Sequence, residues 1–114
     1  MSDKIQTQLK KEFIEILTEI NKVLLSGEHT GQATFINELK HLLVADKIDQ
    51  FIEKANAVDM WGGAGSVWEV YFEVKERQRI FARAIKAFID LMDRADIVEN
   101  GAKSLKEFFT NYNN

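Results

Sequence analysis

Histidine is the first side chain to examine for chemistry in a chain without cysteine, and this one has two, His29 and His41. Glu38-x-x-His41 has the spacing that sets both side chains on one helix face, as in half of a di-iron site. The other half is missing, because Ser26 stands where a second Glu-x-x-His would place its glutamate before His29. The absent cysteines also remove disulfides, thiolate zinc sites, iron–sulfur clusters and thiol catalysis. Ser2, Ser26, Ser66 and Ser104 include no Gly-x-Ser-x-Gly elbow, and no histidine is recognisably placed as their base. The carboxylates are many, but they sit where helix solubility already accounts for them. The expectation is therefore no catalytic residue, no metal site and no cofactor.

A glycine-rich stretch stands apart. Met60-Trp61-Gly62-Gly63-Ala64-Gly65-Ser66 interrupts an otherwise helix-favouring chain. Consecutive backbone N–H groups before a helix can cradle an anion. The specific signatures are lacking, however: no Lys-Ser or Lys-Thr follows, the third glycine of a dinucleotide fingerprint is absent, and no strand precedes. A tight turn using glycine's positive φ is the favoured reading, with contact to a partner or a ligand as the alternative. Trp61, Trp68 and Tyr71 around it are residue types enriched at binding hot spots, although they could equally close one end of the core. Gly62, Gly63 and Gly65 join them as candidate partner-binding positions. Glu12, Glu15 and Glu19 form an acidic ridge that could steer a basic partner.

These positions need elements to hold them. Leu9, Phe13, Ile16, Leu17, Ile20, Val23 and Leu24 share one face of a helix over 3–26, capped by Ser2 or Asp3 and stopped by a left-handed Gly27. Thr30 caps a second helix over 31–44 with Phe35, Leu39, Leu42 and Leu43 inward. Asp46 starts a third over 46–57 with Ile48, Phe51, Ile52 and Ala55 inward. Ile80, Phe81, Ala84, Ile85, Phe88, Ile89 and Met92 mark a helix over 76–94, and Leu105, Phe108 and Phe109 a last one over 102–111. Between the glycine loop at 61–66 and the fourth of these helices, two patterns compete. Ser66-x-x-Glu69 matches a capping box, whereas Trp68, Val70, Phe72 and Val74 alternate with Glu69, Tyr71, Glu73 and Lys75. The alternation favours an extended segment at 67–75 in an all-α or mainly α fold, one domain over 1–114. Such a segment needs backbone partners, and a symmetry mate could supply them in a homodimer.

Composition narrows the function classes. The chain has 114 residues and a formal net charge of −3. Residues 1–59 hold ten acids and seven lysines (net −3), and residues 60–114 hold eight acids and eight bases (net 0). A mildly acidic chain is a poor ligand for a polyanion, so nucleic acid is disfavoured as a partner. The exception to check is the stripe Lys75, Arg79, Arg83 and Lys86, whose bland reading is a solvated helix face. No apolar run reaches the length of a membrane span, and Met1-Ser2-Asp3-Lys4 does not open a signal peptide, so a cytoplasmic protein without a membrane role is expected.

The run Trp61-Gly62-Gly63-Ala64-Gly65-Ser66-Val67-Trp68-Glu69-Val70 resembles the mark of a small bacterial domain family of unknown function. That mark is an aromatic residue, Gly-Gly-x-Gly-Ser, a hydrophobic residue and an Asn-Asp-Leu-like triplet, with a helix on either side. Here Trp68-Glu69-Val70 stands at the triplet, so a tryptophan replaces its asparagine while Glu69 keeps an acid at its centre. The resemblance extends over residues 30–95. Small acidic helical proteins of this kind look like the immunity partners of secreted bacterial toxins, which implies a non-catalytic chain that binds a cognate toxin.

Overall fold

A computed structural model describes residues 5–62, 65–99 and 102. Five α-helices and one 3-10 turn account for most of them, and none of the described residues lies in a strand. The fold is all-α. Helix α1 spans Thr7–Ser26, α2 Thr30–Val44, α3 Ile48–Ala55, the single turn α4 Val58–Trp61, and α5 Lys75–Arg94, with the 3-10 turn at Val67–Glu69.

The heptad-like spacing in α1 produces a continuous buried face of Phe13, Leu17, Ile20, Val23 and Leu24. Both long partners pack on α1 in antiparallel sense. Asn21 Nδ2 donates to Ala33 O at 2.9 Å and Lys10 Nζ lies 3.5 Å from Asp46 Oδ1, which registers α2. Arg77 Nη1 donates to Ser26 O at 3.2 Å and Arg94 grips Glu12, which registers α5. Phe13 is the node where α3 and α5 meet α1: its ring stands edge-on to Phe51 at 5.4 Å and to Phe88 at 5.8 Å. Asn56, just past α3, donates to Ile97 O and accepts from Glu99 N–H, both at 2.9 Å, and so ties the chain leaving α5 back to α3.

Among the described residues, those expected to face inward are buried or half-buried, with one exception. Ile80 is exposed because its i−4 and i+3 neighbours, Glu76 and Arg83, lie on the outer face of α5. The ends differ more. Helix α1 begins at Thr7 with Gln6 at its N-cap, so Ser2 and Asp3 do not cap it. The third stretch is two elements, α3 and α4, separated at Asn56–Ala57. The helix expected over 102–111 lies outside the described residues except for Ala102, which is helical and buried.

Three helices stop in the same way, and glycine does not provide the stop. Gly27 has φ −100°, and the left-handed residue is Glu28 at φ 63°. His29 N–H then reaches Leu24 O at 2.9 Å and Glu28 N–H reaches Leu25 O at 3.0 Å, the paired bonds of a Schellman ending. Asp46 (φ 60°) and Asp96 (φ 58°) repeat the arrangement after α2 and α5. Asp46 therefore closes α2 instead of opening the next helix. Thr30 and Gly31 likewise lie within α2, whose N-cap position is His29. Gly27 is required for space: a Cβ there would come within 2.7 Å of Phe72 Cε2.

Candidate partner-binding surface

The glycine loop leads from α4 into the 3-10 turn, and the carbonyls of Gly62 and Gly65 are taken by side chains. Ser66 Oγ donates to Gly62 O at 2.7 Å, and Trp68 Nε1 donates to the same oxygen at 3.0 Å. Gln32 Nε2 donates to Gly65 O at 3.1 Å. The serine hydroxyl, spent on Gly62, caps nothing, so the capping-box pattern at Ser66-x-x-Glu69 yields only the short 3-10 turn. Gly65 has φ +90°, where a side chain would be strained. Gly62 has ordinary φ, but a Cβ there would run into Val58. Gly63 lies outside the described residues.

The aromatic residues divide by role. Trp61 is 7% exposed, stacks on Phe88 at 6.2 Å and donates its indole N–H to Ala55 O at 2.7 Å. Trp68 is half-buried, with its indole N–H turned to the loop. Tyr71 is 70% exposed. The period-two pattern accounts for that exposure between the buried Val70 and Phe72, but it fails at Val74, which is 50% exposed. Residues 70–74 are non-helical, and Val70 and Val74 have extended backbone. Phe72 packs between His29 at 5.1 Å and Phe81 at 5.2 Å, and its N–H donates to Gln78 Oε1 at 2.7 Å. A tyrosine flanked by two buried anchors cannot fold inward without breaking both.

Beside Tyr71 lies an open pocket of about 230 Å³ lined by Phe72, Lys75, Gln78 and Arg79. Lys75, Gln78 and Arg79 join Tyr71 there because a bend brings the extended segment against the first turns of α5. The sequence sets Lys75 and Arg79 on one stripe, and the fold adds Tyr71 to them. No spacing signals that contact, because residues 70–74 are non-helical and the bend that makes it is not periodic. The rest of the stripe is less uniform, since Lys86 pairs with Asp90 at 3.0 Å.

The acidic ridge stands elsewhere. Glu12 holds Arg94 through two contacts of 3.2 and 3.3 Å, while Glu15 and Glu19 are exposed. A groove of about 290 Å³ between α1 and α5 is lined by Glu12, Glu15, Ile16, Asp90, Leu91 and Arg94. The ridge begins at Arg94 and the Tyr71 pocket lies at the opposite end of α5. The distance from Arg77 to Arg94 along that helix is roughly 25 Å at about 1.5 Å per residue. The structure thus separates Glu12 and Glu15 from Tyr71 and does not bring them into one site.

The remaining chemical candidates are occupied or solitary. Glu38 accepts a contact from Lys54 Nζ at 3.2 Å, and that ammonium also sits 4.6 Å from the centre of the Phe35 ring. His41 is exposed, and His29 packs edge-on against Phe72. No three His, Asp or Glu among the described residues converge as metal ligands. No helix among them is long and apolar enough to cross a membrane.

No family model, curated protein or solved structure matches this chain.

Proposed function

We propose that the chain is a non-catalytic protein-binding module, an immunity protein that resides in the cytoplasm and neutralises a cognate bacterial toxin by covering its active site. The observation that carries this reading is Tyr71, a hot-spot residue type displayed to solvent on a segment pinned by Val70, Phe72 and Gln78. A rigid anchor loses little side-chain freedom on binding, so more of its contact energy appears as affinity. The exposed Glu15 and Glu19 lie along α1, away from Tyr71, and contribute at a distance by steering a basic region of the toxin. Trp68 acts from behind by holding Gly62 of the loop from which the segment departs, and Trp61 fixes α4 to the end of α3. Pairing of residues 67–75 across a homodimer is the less favoured alternative, because the Phe72 N–H is already committed to Gln78.

Co-expression of the tagged chain with the product of its neighbouring gene tests the proposal. Stoichiometric co-purification and rescue of growth from that product are expected, both weakened by Tyr71→Ala. A neighbouring product that is neither retained nor neutralised would refute the assignment.

A further inference from the structure

Building on that reading, we propose that Tyr71, Lys75, Gln78 and Arg79 form a receptor for carboxylate side chains on an acidic segment of the protein partner. The pocket of about 230 Å³ has the size of a receptor for one or two side chains, not for a folded surface. Its nitrogen-bearing side chains all present donors. Gln78 Oε1 faces the Phe72 N–H, which can only donate, so the amide NH2 is the end left to the pocket. Lys75 and Arg79 are exposed and have no ion pair among the described residues. Among the described residues no carboxylate occupies either cation. A guanidinium accepts a carboxylate in bidentate fashion, the ammonium adds a point charge, and the Tyr71 ring covers the methylene groups that carry the acid.

A polyphosphate backbone fits less well. Glu69, Glu73 and Glu76 are exposed on the same stretch of chain and would face the phosphates on either side of the one held in the pocket. A short acidic segment places charge in the pocket and can leave its flanks neutral.

The test is a titration of the full-length, 15N-labelled protein followed by NMR. The probes are a blocked Gly-Gly-Glu-Glu-Gly-Gly peptide, an octathymidylate, and sodium chloride at matched ionic strength. Saturable shifts at the Tyr71 and Phe72 amides and the Gln78 side-chain NH2 are expected with the peptide alone. Arg79→Ala should weaken that binding about tenfold, whereas Arg83→Ala, one turn beyond the pocket, should change it little. A response no larger than that of salt, or equal binding of the octathymidylate, overturns the proposal. If the peptide is silent while Tyr71→Ala still releases a co-purified toxin, the acidic-segment inference fails and the binding function stands.

Discussion

Replacing Glu28 by glycine should raise stability, and the size of the gain follows from how α1 ends. Glu28 sits at φ 63° with its N–H on Leu25 O, in a conformation that disfavours an L-residue by about 1–2 kcal/mol. Glycine removes that strain but gains freedom in the unfolded chain, which returns about 0.5–1 kcal/mol. The carboxylate also lies at the negative end of the helix dipole, where removing it contributes about 0.3–0.5 kcal/mol at an exposed site. The net is about 1 kcal/mol, equivalent to a rise in Tm of about 4 °C for a chain of this length. Thermal unfolding followed by circular dichroism, with urea titration to check an unchanged m-value, measures it. Glu28→Gln removes the charge and keeps the Cβ, so it should deliver only the dipole part, about 1–2 °C. Asp96→Gly should gain less, because aspartate tolerates the left-handed region better. Asp46→Gly should gain least, since it also gives up the contact with Lys10. Equal stability of Glu28→Gly and Glu28→Gln would refute the strain argument.

Other substitutions separate contact from conformation. Gly27→Ala has an allowed φ and would ordinarily stabilise, yet the collision with Phe72 should make it destabilising by about 1–3 kcal/mol, an effect reduced in a Phe72→Leu background by a double-mutant cycle. Gly31→Ala places its Cβ in open space within α2 and should stabilise by about 0.5–1 kcal/mol in urea unfolding. Ser66→Ala removes a buried hydroxyl bond to Gly62 and should lower stability by about 1 kcal/mol, with faster amide exchange in the loop.

The helices were readable because burial is periodic. Phe13 to Leu24 and Phe81 to Met92 repeat at helical spacing, and the hydrophobic effect buries what repeats. Their endings were not readable in the same way. The sequence offers glycine at 27, and a left-handed stop there is the natural expectation. The chain instead keeps Gly27 for the approach of Phe72, forty-five positions away in sequence, and the left-handed turn passes to Glu28. A local rule was overridden by a distant contact. The candidate surface shows the same division. Alternation of Val70, Tyr71 and Phe72 predicts that one parity faces out, which the exposure of Tyr71 matches. It says nothing about Trp68, whose indole finds a carbonyl six residues back, or about Gln78, which reaches Phe72 across a bend. Such bonds depend on the path of the backbone, not on spacing.

The two indoles have an optical consequence. Trp61, stacked on Phe88 in the core, should emit at short wavelength and shift only when the whole molecule unfolds. Trp68, half-buried and bound to Gly62 O, should respond earlier, when the loop alone opens. Single-tryptophan variants would therefore give this protein two intrinsic fluorophores with different thresholds. The second of them lies three residues from Tyr71, close enough to register by quenching or spectral shift the arrival of any partner there.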